Sequence, residues 1–203
     1  MQEKDKSIKK QNSFSFFLII FFAILFLKDA SAAKTNLKIE NYFNNLNLFS
    51  SKFIQSSGTS LEEGYIYIDN GKIRLDYFNP DRTIKISRDK GVYINHELKE
   101  EEFFSTKENL IGVFYDVFLG ENFFSSLSFK ENKKEIIFKK NIKTVSDNTD
   151  LIIFFENDPV LIRKITAKTK DSTTSISFSE HTYYNTFDKS FFSFVPIYLD
   201  WKF

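Results

Sequence analysis

The sequence predicts a mainly β protein, one long antiparallel meander that carries two helices. Short segments of alternating apolar and polar residues recur along the chain, separated by turns rich in Asn, Asp and Gly. Two other stretches repeat their apolar residues at three- and four-residue spacing, the period of a helix with one buried face. With only six Gly and three Pro, the chain shows no linker-like tract and no internal repeat.

The first 33 residues stand apart from that pattern. Lys4, Lys6, Lys9 and Lys10 make a basic start, an apolar run from Phe14 to Leu27 is broken only by Ser15, and Ala30-Ser31-Ala32-Ala33 follow. This is the order of a cleavable signal peptide, with cleavage after Ala32 or Ala33. The run of 14 residues is short of the roughly 20 that a spanning helix needs. No Cys follows the small residues, so no lipid anchor is expected, and no later run is long enough to span a bilayer as a helix. The expected organisation is a signal peptide at 1–33 and a single soluble domain at 34–203, working outside the cytoplasm.

Each later element has its own signal. Ile39, Tyr42, Phe43, Leu46 and Phe49 predict a first helix, with Thr35 or Asn36 as N-cap and an end near Ser50-Ser51. Strands follow at Phe53 to Ser56 and Gly64 to Ile68, then across the Asp69-Asn70-Gly71 turn at Lys72 to Phe78. Asn79-Pro80-Asp81 leads into Thr83 to Ser87, and Asp89-Lys90-Gly91 into Val92 to His96. A second helix is predicted from Thr106 to Leu119. Ser105 and Glu108 have capping-box spacing, Gly120 is the stop, and Leu110, Ile111, Phe114, Val117 and Phe118 share one face. Gly112 weakens that helix slightly. Further strands fall near Leu127 to Phe129, Lys134 to Lys140, Leu151 to Glu156, Leu161 to Lys168, Thr173 to Phe178 and Phe191 to Phe194.

Composition excludes several functions. Beyond residue 33 the chain keeps 23 Lys and Arg (28 less five) against 24 Asp and Glu (27 less three), a net charge near −1. That balance argues against a nucleic-acid partner. The absence of Cys removes disulfides, thiol chemistry and thiolate metal sites. The two histidines, His96 and His181, are far apart, no Gly-x-Ser-x-Gly run is present, and both read as surface polar residues. Glu62-Glu63 and Glu100 to Glu102 read as solvated charge near turns. No catalytic residue, metal site or cofactor is expected.

The apolar inventory is heavier than a half-solvated sheet requires: 20 Phe (26 less six), nine Tyr and one Trp beyond residue 33. Leu151-Ile152-Ile153-Phe154-Phe155 leaves no polar alternation at all. Composition is equally compatible with an ordinary Phe-rich core and with a curved sheet whose concave face encloses an apolar cavity.

The order of the elements resembles the LolA family of periplasmic lipoprotein carriers. The resemblance is carried by Phe53-x-Gln55, by the Gly-led strand Gly64-Tyr65-Ile66-Tyr67-Ile68, and by Gly71-Lys72-Ile73-Arg74-Leu75-Asp76-Tyr77 with Pro80. Asp89-Lys90-Gly91-Val92-Tyr93 falls at the family's short Asp-Gly turn, and Asn185, Phe192-Ser193-Phe194 and Pro196 match its closing segment. It covers nearly all of the chain beyond the signal and is strongest from Phe43 to Glu97. Two departures stand out. The family's Arg-Pro pair, whose Arg latches the helical lid, is replaced by Asp69-Asn70, with Arg74 as an alternative latch. The late Asp-x-x-Gly loop reads Asp171-Ser172-Thr173-Thr174 and lacks its Gly.

The resemblance implies an open, incomplete antiparallel β-barrel, or strongly curved sheet, with helices covering the cavity mouth. It implies a monomeric carrier that shields the acyl chains of lipoproteins between an inner-membrane releasing transporter and an outer-membrane acceptor. On the alternation of each strand, Ile66, Ile68, Ile73, Leu75, Tyr77, Ile84, Ile86, Val92 and Ile94 are expected to point inward as lipid-binding cavity lining. Phe114 and Phe118 are expected to join them from the second helix. Two other functions remain open on the residues: a sensory or scaffold half-barrel that binds a lipid or protein of the envelope, and a hydrolase of envelope lipid using His96 or His181.

Overall fold

In the computed structural model of the chain, residues 35–107, 110–120, 123–124, 128–143, 148–184 and 186–198 are described. Segment 1–33, read above as a signal peptide, Glu108 of the expected capping box, Leu127 and Asn185 lie outside the described residues. The chain divides into two compact units, Met1–Glu40 and Asn41–Phe203. Of the first, the described residues 35–40 are helical and open helix α1 (35–44).

The second unit is built on an eleven-stranded antiparallel sheet. Its strands are β1 (Phe49–Ser57), β2 (Ser60–Asp69), β3 (Lys72–Tyr77), β4 (Arg82–Ile86), β5 (Lys90–Asn95), β6 (Glu100–Ser105), β7 (Ser128–Glu131), β8 (Glu135–Lys143), β9 (Asn148–Asn157), β10 (Val160–Lys168) and β11 (Thr173–Tyr183). Helix α2 (Leu110–Leu119) lies between β6 and β7. The spatial order is β6-β5-β4-β3-β2-β1-β11-β10-β9-β8-β7, so the sheet does not close into a barrel. Two runs of hairpins, β1 to β6 and β7 to β11, meet only where β1 pairs with β11, for example Phe53 with Phe178 and Gln55 with Ile176.

Local chemistry explains these elements. The β2–β3 hairpin turns on Asn70 and Gly71 with φ of 45° and 72°, the left-handed pair that a two-residue turn requires. Gly64 is needed for a different reason: a Cβ there would lie 2.1 Å from the Asp76 carbonyl oxygen and 2.8 Å from the Phe53 ring. At the end of α2 the Gly120 N–H donates to the Asp116 carbonyl at 2.9 Å, closing the helix where the sequence places its stop.

Three expectations are corrected. The first helix stops at residue 44, and Leu48, at φ 56°, turns the chain so that Phe49 to Ser51 are strand. Glu100–Ser105, given no element from its sequence, is an edge strand, a position that tolerates three consecutive carboxylates. Phe191 to Phe194 forms no strand. Its carbonyls are taken by side chains, Phe191 by Arg74 at 2.9 Å and Ser193 by Lys85 at 2.7 Å, so no ladder forms. The single meander is two meanders, because β6 and β7, consecutive among the strands, are the two outer edges of the sheet. The chain must cross between those edges, and α2 is the element that does so.

Directly opposed residues of a sheet share a face, so the register sorts the side chains. One face carries Ile66, Leu75, Ile84 and Tyr93 in one row and Ile68, Ile73 and Ile86 in the next. Across β1 and β11 it continues through Phe53, Phe178, Ile176, Ile165, Ile153, Phe155, Ile136 and Phe138. This is the inner face. On it Phe53, Ile66, Ile68, Ile73, Phe138 and Phe155 are at most 1% exposed. The outer face of β2 to β6 holds Tyr67, Arg74, Thr83, Lys85, Val92, Ile94 and Glu101.

Candidate functional site

The inner face is filled at one end and hollow at the other. At the filled end, rings pack edge to face. Phe124 contacts Phe138 at 5.1 Å and Phe155 at 6.0 Å between centroids, Phe43 stacks on Phe124 at 4.9 Å, and Phe118 of α2 meets Phe43 and Phe178. Tyr42 closes this end, its hydroxyl accepting from the Ile162 N–H at 3.3 Å. Burial, opposed by that bond, pushes its pKa far above the ordinary tyrosine value.

At the hollow end is a cavity of about 430 Å³, within the range of about 300–1,000 Å³ typical of ligand sites. The sheet contributes Leu75, Tyr77, Ile84, Ile86 and Tyr93 from one hairpin run and Leu151, Ile165, Ala167, Thr174 and Ile176 from the other. Helix α2 roofs it with Leu110, Ile111, Val113, Phe114 and Val117. The helix is tied to the sheet by the Tyr115 hydroxyl, which donates to the Gly71 carbonyl of the β2–β3 turn at 3.1 Å.

One end of the cavity is polar. Tyr77 donates its hydroxyl to Gln55 Oε1 at 3.0 Å, and Arg82 donates from Nη2 to Glu62 Oε2 at 2.8 Å. Gln55 Nε2 faces the same Glu62 oxygen at 3.5 Å. The Arg82 guanidinium lies over the Tyr77 ring, 4.1 Å from its centroid. Burial raises the Tyr77 pKa above its ordinary value, with Arg82 opposing. For Arg82 burial pulls downward, but Glu62 and the Tyr77 oxygen reverse it, so the cation is held more firmly than usual.

Of the eleven expected lining residues, Leu75, Tyr77, Ile84, Ile86 and Phe114 border this cavity. Ile66, Ile68 and Ile73 share the inner face but are wholly buried, and Phe118 lies in the aromatic cluster. Val92 and Ile94 are corrected. They pair with Lys85 and Thr83 on the outer face, and Tyr93 points inward in their place. Alternation misplaced them because both faces of β5 are covered, so apolar residues stand on each. Gly91 of the inner row has its missing side chain filled by the Phe104 ring.

The cover on the outer face is the C-terminal segment 187–198. Phe191 packs on Tyr67, its ring lies under Arg74 and its carbonyl accepts from Arg74. Lys85, only 4% exposed, donates to the Ser193 carbonyl at 2.7 Å, and burial lowers its pKa. Glu101 Oε1 accepts from the Ile197 and Tyr198 N–H groups. Arg74 therefore holds this segment and Asp76, at 2.8 Å, and is not the latch of the helix. Among the described residues, the Tyr115 hydroxyl ties α2 to the Asp69-Asn70-Gly71 turn.

The histidines are half-buried and not surface groups. His96 Nδ1 is 2.9 Å from the Tyr198 hydroxyl and Nε2 is 3.0 Å from Thr83 Oγ1, beneath the C-terminal segment. His181 stacks on Phe49 at 5.4 Å. Among the described residues no three His, Asp or Glu side chains come together as metal ligands, and no helix is long and apolar enough to cross a membrane. Gln55, Arg82, Tyr93 and the lining of β9 to β11 were not singled out from the sequence. The Phe53-x-Gln55 spacing was the available signal for Gln55, since it sets both residues on one face.

No family model matches the chain, and no curated protein matches it. Among solved structures it is similar to an uncharacterized conserved protein from Thermus thermophilus, at TM-score 0.49 and 8% identity over 76% of this chain and 89% of that one. It is similar to a putative outer membrane lipoprotein-sorting protein domain from Vibrio parahaemolyticus, at TM-score 0.42 and 9% identity over 79% and 97% of the two chains. A third similar structure is MucB in complex with MucA(peri), at TM-score 0.42 and 10% identity over 79% of this chain and 59% of that one.

Proposed function

We propose that the chain is a periplasmic carrier that shields the acyl chains of lipoproteins in the cavity beneath α2 and moves them from the inner to the outer membrane. It would reach the periplasm through its cleaved signal peptide, as one carrier domain from residue 34 onward. The observation that carries this reading is the cavity itself, walled by aliphatic and aromatic side chains from both hairpin runs and roofed by one helix. Transfer of a methylene from water to such a wall is worth about 0.8 kcal/mol. An acyl chain therefore supplies its own affinity, and the protein needs only apolar area and a roof that can move. The sheet order supports such movement. The roof is the crossing between two sheet edges, tied to the β2–β3 turn among the described residues by the Tyr115 hydroxyl.

The test is extraction. Purified protein incubated with inner-membrane vesicles and the releasing machinery is expected to hold a lipidated lipoprotein in a soluble complex. Ile84→Glu, which puts a charge on the cavity wall, is expected to abolish the complex while the far-ultraviolet spectrum stays unchanged. Wild-type protein that retains no acylated cargo would remove the proposal. Recovery of a membrane signalling protein in its place would favour a sensory module.

A further inference from the structure

Most of the cavity wall cannot tell one greasy ligand from another, but its polar end can. Gln55, Tyr77 and Arg82 line it there, with Glu62 behind them. We propose that this end binds the carbonyl of an ester- or amide-linked acyl chain, in preference to a free fatty carboxylate or a bare hydrocarbon. This names the ligand class for the acyl-binding cavity and rests on that reading.

The argument is one of unsatisfied donors in a charge-balanced cluster. The Arg82 charge is already matched by Glu62, 2.8 Å away. The acceptor oxygen of Gln55 is taken by the Tyr77 hydroxyl. What remains is donor capacity. Arg82 Nε is buried with no hydrogen-bond partner among the described residues, and the Gln55 amide has a second hydrogen beyond the one facing Glu62. A neutral acceptor satisfies such donors without adding charge. A carboxylate would give up its hydration and lie beside Glu62, while an alkane leaves the donors without an acceptor. The ester and amide carbonyls of acylated molecules are neutral acceptors joined directly to an apolar chain, which is the shape this end of the cavity takes.

The experiment is displacement of an environment-sensitive apolar dye by methyl laurate, laurate and dodecane, which share a chain length and differ at the head. The ester is expected to compete at about five- to tenfold lower concentration than the alkane, the equivalent of one hydrogen bond, and laurate is expected to be the weakest. Glu62→Gln leaves the Arg82 charge uncompensated and is expected to make laurate the best competitor. Arg82→Met combined with Glu62→Leu and Gln55→Leu, which removes both donors and the charge that matched Arg82, is expected to bring ester and alkane level while alkane competition persists. Equal competition by ester and alkane in the wild type, or an ester preference that survives the triple substitution, overturns the inference and leaves the acyl-binding reading intact. Failure of all three ligands to displace the dye overturns both.

Discussion

The two ends of the inner face are made of the same chemistry and do opposite things. At the β8–β9 end, Phe43, Phe118, Phe124, Phe138 and Phe155 fill the space with ring contacts. At the β3–β5 end, Leu75, Ile84, Ile86 and Tyr93 border a void. Both sets are apolar, and the strand residues in each lie on the same inner face. The difference is one of volume and of where the helix sits. Flat rings interlock with one another and with Phe118 of α2, while at the hollow end Leu75, Ile84, Ile86 and Tyr93 leave space beneath the roof. An apolar inner face is thus a core or a container according to side-chain size, and a protein can build both on one sheet.

The largest expected effect breaks the filled end. Phe155 is 1% exposed and touches Tyr42, Phe43, Phe124 and Phe138. Phe155→Ala is expected to cost about 3–5 kcal/mol of unfolding free energy, read from urea titration, because the rigid cluster cannot collapse onto the gap. Ile84→Ala at the hollow end sharpens the contrast. Its side chain already borders empty space, so its loss is expected to cost about 1 kcal/mol or less, below the usual range for a packed isoleucine. It should nonetheless enlarge the cavity and weaken retention of an acyl ligand. Equal costs at the two sites would mean that the cavity closes in solution.

This contrast was half visible in the sequence. The strands from Lys72 to Ser87 alternate cleanly because Asn70-Gly71 and similar turns fix their register, and Leu75, Tyr77, Ile84 and Ile86 were placed inward on that basis. Phe114 followed from the helical spacing. Volume was not visible, since lining and core share residue types: Ile73 is fully buried and Ile84 borders the cavity. The other failures have a common cause in long-range cover. Val92 and Ile94 are apolar on the outer face because residues from the far end of the chain lie over them. Lys85, between two isoleucines, looks solvated in sequence and is buried for the same reason. The pairing of β1 with β11, more than a hundred residues apart, leaves no local signal.

That cover provides the intermediate test. Arg74 bonds Asp76 through Nε and the Phe191 carbonyl through Nη1, with the Phe191 ring beneath it. Arg74→Ala is expected to cost about 1–2 kcal/mol, the sum of a partly exposed charge-assisted bond and a stacked cation. It should raise amide exchange in segment 187–198 while leaving dye binding in the cavity unchanged. A loss of dye binding would show that the two faces are coupled and that the outer segment helps to shape the container.

The smallest effect concerns protons. His181 on β11 stacks against Phe49, its ring nitrogens are buried, and burial followed by the nearby Arg163 charge lowers its pKa below the ordinary value. The Ile162 backbone and Glu156 oppose this only in part. The folded protein therefore resists a proton that the unfolded chain accepts, and stability should fall as the pH drops through about 6.5, the ordinary histidine value, toward the lower folded-state value. Urea midpoints measured from about pH 7 to about pH 5 should decline in the wild type and decline less in His181→Phe, which keeps the ring stack and removes the titration. A decline unchanged by His181→Phe would show that the proton-sensitive group lies elsewhere.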